Sequence, residues 1–167
     1  MIPSARKDGP QVTSEWNRLQ QSIDGVREKL AALERSNANV SRDDRGDITV
    51  AIRPFPTEGA GLYDEMMHKF ADVLGPQRND AFLKIGAEHV EVALGRFGTA
   101  ERTYTFSYDA TEGSGQPYIV LDKVMQKTSK GGISGHTDTS RFRSFEDLAA
   151  RVGPIVSLLP SNYKLPR

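Results

Sequence analysis

An apolar repeat of seven residues runs through the first quarter of the chain. Up to Leu33, its apolar positions form two series on that period, namely Trp16, Ile23, Leu30 and Leu19, Val26, Leu33. The positions that flank this stripe are polar, so the stripe is narrow, as in a helix that pairs lengthwise with another helix. We therefore predict a helix from Ser14, its N-cap, to about Ser36, and expect the six apolar side chains to form an oligomer interface.

Two features of this helix leave other interpretations open. Gly25 lies in the middle of the run and costs on the order of 1 kcal/mol relative to alanine in a helix interior. The run covers only roughly three heptads, which is short for a coiled coil. The helix could instead pack on its own domain or dock to another protein, but we favour self-association as a homodimer.

Further elements follow from the spacing of apolar residues. Alternation predicts half-buried strands at 47–53, 102–109 and 118–125. Helical spacing predicts helices at 62–74, 81–97 and 145–152, the last capped by Ser144, and Gly75-Pro76 separates the first two. The polar stretches 36–46 and 128–140 have the composition of loops, with a possible short strand at 141–142.

This order of elements predicts an α+β fold. We expect a small antiparallel or mixed sheet with helices packed on one face, preceded by the long N-terminal helix with its coiled-coil-like heptads. The chain then divides into a disordered lead at 1–12, a helix and linker at 13–42, and an α+β globular domain at 43–167.

Composition narrows the classes of protein. The 167 residues carry no net charge at pH 7 and include no cysteine. Disulfides, thiolate zinc sites and a cysteine nucleophile are therefore excluded in this chain. No apolar run is long enough to span a bilayer, and the first ten residues lack the apolar segment of a signal peptide. We therefore expect a soluble protein without a transmembrane segment; the composition does not fix its compartment, and the cytoplasm is the default.

Basic residues are concentrated toward the C-terminus, where they flank a glycine-rich segment. The stretch 47–122 has more acids than bases, and 123–167 has the reverse balance. Glycines in the loop 128–143 allow backbone amides to converge on an anion. The candidate ligand-binding residues of this loop are Lys130, Ser134, His136, Arg141 and Arg143. The first alternative function is therefore a small-anion or small-molecule binding protein or enzyme, and the second is nucleic-acid binding by the basic third.

Two short motifs suggest catalysis or metal binding, and each has a simpler interpretation. Ser134, His136 and Asp138 have the residue types of a catalytic triad, but residues on one face of a strand are too far apart to form one. Glu65 and His68 have the spacing found in di-iron proteins, which need a second such pair. We expect both sets to be solvated polar residues.

An aromatic stripe of Tyr104, Phe106 and Tyr108 lies on one face of the second predicted strand. Exposed aromatic side chains could stack on nucleic-acid bases, but the neighbouring segment is acidic, so we predict core packing. The sequence contains no convergent set of catalytic residues, no metal site and no cofactor motif. It favours a non-enzymatic interaction or sensory module, whose partner is a second copy of the chain or another helix.

Overall fold

The computed structural model describes residues 10–109, 118–129 and 132–159. The helices are α1 (Pro10–Asn37), α2 (Pro56–Ile85), α3 (Ala87–Ala93) and α4 (Phe145–Val152). The strands are β1 (Ala38–Arg42), β2 (Ile48–Ile52), β3 (Glu101–Asp109), β4 (Tyr118–Ser129) and β5 (Gly132–Phe142). A long N-terminal helix followed by a sheet and further helices confirms the predicted α+β class.

The five strands form one sheet in the order in which they occur along the chain. Each strand pairs antiparallel with the next, so the sheet is antiparallel rather than mixed. β1 lies at one edge, in a stretch that we predicted as a loop. Its side chains are mostly exposed, and Val40 is its only large apolar residue. A strand without a buried face has no period-two apolar pattern, which is why the sequence did not predict it.

The predicted loop at 128–143 is instead the end of a long β-hairpin. β4 continues to Ser129, and β5 pairs with it from Gly132 to Phe142. The predicted short strand at 141–142 is the end of β5. Most of β5 is exposed on both faces, so its side chains are as polar as those of a loop. Backbone hydrogen bonds to β4, rather than apolar burial, therefore define this edge strand.

The predicted break at Gly75-Pro76 is present as a kink inside α2. Gly75 has φ 71° and ψ 170°, a conformation that other residues rarely adopt. Pro76 lacks the amide that a continuous helix would need at that position. α2 continues beyond the kink, so residues 81–97 are divided between the end of α2, α3 and a turn at 95–98, and do not form the single helix that we predicted.

The chain packs as two compact units. The first consists of Met1–Leu30 and Thr57–Phe97, and the second of Ala31–Pro56 and Gly98–Arg167. The predicted division after residues 12 and 42 stays a prediction. Most of the predicted disordered lead, residues 1–9, lies outside the described residues, and α1 begins at Pro10.

In the first unit, α1 lies antiparallel to α2. Glu15 near the start of α1 contacts Arg78 near the end of α2, and Lys29 contacts Glu65 in the earlier part of α2. The buried apolar residues include Val26, Leu30, Met66, Phe70, Val73, Leu94 and Phe97. None of the described helices has both the length and the apolar composition needed to cross a membrane.

In the second unit, one face of the sheet forms the core. Alternate residues of the three inner strands are buried there, namely Ile48, Val50, Ile52, Tyr104, Phe106, Ile119 and Leu121. Tyr104 and Phe106 therefore occupy the core as predicted, while Tyr108 is partly exposed. On the opposite face, the hydroxyls of Thr49 and Thr105 lie 3.4 Å apart on neighbouring strands.

The last helix begins and ends as its sequence predicts. The backbone amide of Asp147 donates to Oγ of Ser144 over 3.1 Å, so Ser144 is the N-cap of α4. Gly153 ends the helix with φ 45°. Leu148 in α4 and Ile155 in the turn that follows are buried in the second unit.

Candidate functional site

The six apolar side chains of the N-terminal repeat differ strongly in exposure. Val26 and Leu30 are buried, whereas Trp16 is 62% exposed. Leu19, Ile23 and Leu33 have intermediate exposure. Leu33 belongs to the second unit and the other five to the first. The middle of the repeat is therefore covered, and Trp16 near its N-terminal end is open to solvent.

Four of the five predicted ligand-binding residues lie in the described part of the chain, and these four are not all on one face of β5. Lys130 lies outside the described residues. Ser134 and His136 are exposed and share one face of β5, where they lie opposite Lys127 and Met125 of β4. Arg141 belongs to the other face of β5, since residues alternate along a strand, and Arg143 follows the end of the strand. Two of the five candidates are therefore brought together on one face.

The two catalytic or metal motifs of the sequence have ordinary structural contacts. Asp138 shares the face of Ser134 and His136, but all three are exposed on the edge strand. Glu65 binds two lysines through its carboxylate, and His68 Nδ1 lies 2.8 Å from the carbonyl oxygen of Asp64. Within the described residues, no group of three potential metal ligands lies together.

A charged cluster lies on the core face of the sheet in the second unit. Arg102 of β3 is 4% exposed, and its Nη1 donates to Oε1 of Glu34 over 2.6 Å. Glu34 comes from the last turns of α1 and is itself largely covered. A buried pair of this kind costs desolvation energy that the mutual attraction of the charges only partly offsets. We therefore regard its surroundings as the candidate functional site.

The sheet register places a lysine beside this pair. Lys123 of β4 lies directly opposite Tyr104 of β3, and its Nζ is 5.8 Å from the centre of the Tyr104 ring. Asp138 of β5 lies opposite Lys123 on the other side. Arg151 of α4 also acts on the charge of Lys123. We call these residues the Arg102 cluster: Glu34, Arg102, Tyr104, Lys123, Asp138 and Arg151.

Charges of the Arg102 cluster influence one another. Burial lowers the pKa of Lys123, and the positive charges of Arg102 and Arg151 lower it further. The carboxylates of Asp138 and Glu34 shift the pKa of Lys123 in the opposite direction. Burial also raises the pKa of the Tyr104 hydroxyl. Three cations thus face two carboxylates, and the cluster has an excess of positive charge.

Only part of the Arg102 cluster could be predicted from the sequence. Arg102 is in phase with Tyr104 and Phe106 on the predicted strand, so alternation alone places its side chain on the buried face. Glu34 appeared only as a polar flank of the apolar repeat. The contact between them joins residues 68 positions apart, and a single sequence gives no indication of such a pairing.

The site is thus a buried ion pair with a half-buried lysine and an exposed arginine beside it, on an antiparallel sheet of an α+β fold. It contains neither a nucleophile paired with a base nor a set of metal ligands among the described residues. No protein-family model, no curated protein and no solved structure matches this chain.

Proposed function

We propose that this chain is a non-enzymatic interaction module that self-associates through the N-terminal part of α1. The observation that carries the proposal is the exposure of Trp16, which is 62% accessible at the open end of the apolar repeat. Tryptophan has a large apolar surface, and it is over-represented among the residues that dominate binding energies at interfaces. A tryptophan in this position is a natural anchor for a second copy of the helix.

The exposure pattern along α1 limits the proposed interface. Val26 and Leu30 are already buried within the chain, so they are not free to contact a second chain. Trp16 with the partly exposed Leu19 and Ile23 remains, and these residues are spaced three, four and seven positions apart along one side of the helix. The proposed contact therefore involves about two turns of helix from each chain, rather than the full repeat.

The polar residues beside this patch suit the rim of an interface. Glu15 is held by Arg78, whose Nη1 donates to its carboxylate over 2.7 Å. The bonded arginine lowers the pKa of Glu15 and keeps the carboxylate ionised. A charged rim around an apolar centre is the usual arrangement of protein interfaces.

Trp16 also provides the direct test, because it is the only tryptophan of the chain. We expect its fluorescence emission to shift to shorter wavelength as protein concentration rises, in parallel with an increase in mass measured by light scattering. Replacing Trp16 with Gln should weaken association by roughly 30-fold, the effect typical of a dominant interface residue.

Val92→Gln is the matched control, because Val92 is an exposed apolar residue of the same unit outside the repeat. This control should associate like the unmodified chain. A monomeric mass at all concentrations would reject self-association. A dimer whose mass is unaffected by Trp16→Gln would reject the role of α1.

A further inference from the structure

Arg102 has hydrogen-bonding capacity that its observed contacts do not use. A guanidinium group has five N–H donors. In the part of the chain that the structure describes, Nη1 bonds Glu34 and the guanidinium acts on the neighbouring Tyr104 hydroxyl, whereas the buried Nε and Nη2 make no hydrogen bond of standard geometry. A buried donor without a partner lowers the stability of the folded chain, because it has lost its hydrogen bonds to water and has formed no other in their place. These two donors therefore call for an acceptor.

The two unused donors lie on the same edge of the guanidinium plane. Nε–H and one N–H of Nη2 point in parallel from that edge, which is the arrangement that receives two oxygens of one oxyanion. Glu34 contacts a different nitrogen, Nη1, so its hydrogen bond does not use this edge, whose two nitrogens are buried. The acceptor that fits these two donors is therefore a group with two neighbouring oxygens, such as a carboxylate or a phosphate.

The surrounding charges favour an anion at this edge. Arg102 is buried, Lys123 is half-buried and Arg151 is exposed, so the three cations of the Arg102 cluster differ in their access to solvent. The positive charges of Arg102 and Arg151 both disfavour the charged form of Lys123. A bound anion would reverse that effect, because it lies among three cations and stabilises each of them.

We propose that the Arg102 cluster binds a small oxyanion, a carboxylate or phosphate group, held by two hydrogen bonds from Nε and Nη2 of Arg102. Lys123 and Arg151 supply the additional positive charge, and Glu34 holds the guanidinium in place from its other side. This site is distinct from the predicted set of Lys130, Ser134, His136, Arg141 and Arg143. It does not depend on self-association through α1.

The test follows the Nε–H signal of Arg102 in nitrogen-15 NMR spectra of the full chain. Sodium phosphate and sodium acetate are the probes, and sodium chloride at matched ionic strength is the control, because chloride cannot offer two oxygens. We expect a saturable shift of this signal with at least one oxyanion and none with chloride. The Nε–H signal of Arg102 is identified by its absence from the spectrum of Arg102→Lys. Should that variant not fold, the signal is identified by its difference in chemical shift from the signals of the exposed arginines.

Two further variants test the site while leaving Arg102 itself unchanged. Lys123→Gln and Arg151→Gln remove one charge each, and we expect each to weaken binding about tenfold, since each removes a charge-assisted contact. Lys84→Gln removes an exposed lysine of the first unit and should leave binding unchanged. An Nε–H signal that stays unmoved by both oxyanions, or that moves equally with chloride, would overturn the proposal. Equal binding by Lys123→Gln, Arg151→Gln and Lys84→Gln would overturn it as well.

Discussion

At the scale of single residues, Gly59 shows how closely the backbone packs in the first unit. A Cβ atom on Gly59 would overlap the carbonyl oxygen of Phe97 and lie 2.8 Å from its carbonyl carbon. Phe97 is held in place, because it is buried and its ring packs edge-on against the ring of Tyr63, with 5.3 Å between the two ring centres. It also belongs to a turn, 95–98, in which all four residues have positive φ. A strained turn with a buried side chain has little freedom to move aside.

We therefore expect Gly59→Ala to lower the free energy of unfolding by about 1–3 kcal/mol, the usual cost of overpacking. Gly61→Ala is the control on the same helix, since nothing lies within 4 Å of its added Cβ. That control should raise stability by about 0.5–1 kcal/mol, because alanine favours a helix interior. Urea unfolding measures the free energy of unfolding of both variants. Similar changes in the two variants would contradict the close contact between Gly59 and the carbonyl group of Phe97.

At the scale of elements, Glu65 links the first two helices. Its carboxylate accepts hydrogen bonds from Lys29 of α1 and from Lys69 one turn further along α2. These two bonds lower the pKa of Glu65 to about 2 from its usual value near 4.5. The folded chain thus favours the ionised form more than the unfolded chain does. The resulting stabilisation is complete above the usual pKa and is lost as the pH falls toward 2.

This linkage predicts a pH-dependent effect of Glu65→Gln. The substitution should destabilise the chain at pH 7, and the difference from the unmodified chain should shrink between about pH 4.5 and pH 2. Urea unfolding at several pH values measures it. The double variant Lys29→Gln with Lys69→Gln should lose the same pH dependence, because the partners are gone. A difference that stays constant over this pH range would contradict the assigned contacts.

The elements also show what the sequence could predict and what it could not. The inner strands were predicted, because one buried face gives them an alternating pattern, as in Ile48, Val50 and Ile52. β1 and most of β5 are edge segments whose side chains are exposed, so their sequences had the composition of loops. Trp16 was predicted as an interface residue, but its exposure depends on how α1 packs. The Arg102 cluster depends on contacts between distant segments, which one sequence does not encode in any local pattern.

At the scale of the whole molecule, the chain passes between the two units three times, after Leu30, Pro56 and Phe97. Neither unit is therefore a continuous stretch of sequence. α1 contributes core residues such as Val26 to the first unit and Glu34, the partner of Arg102, to the second. Removing the N-terminal helix accordingly affects both units.

We expect a variant that begins at Asp43 to lack a cooperative unfolding transition. It loses α1 and β1, and the loss of Glu34 alone should cost about 3–5 kcal/mol, because it leaves a buried arginine without its carboxylate. Folded domains are typically stable by only about 5–15 kcal/mol. Thermal unfolding followed by circular dichroism measures this. Full-length Glu34→Gln should keep a transition at reduced stability, and a shortened chain as stable as the full one would disprove the shared role of α1.

The position of the helical segment between β2 and β3 has a consequence for how the chain tolerates change. These strands are neighbours in the sheet, and the amide of Phe55 bonds the carbonyl of Gly98 over 2.9 Å, so the segment leaves the sheet and returns at almost the same place. In terms of chain entropy it is a loop, and doubling the length of a loop costs only about 0.6 kcal/mol. Insertions in the turns of this segment that leave its packed helices intact should therefore cost the strand pairing little.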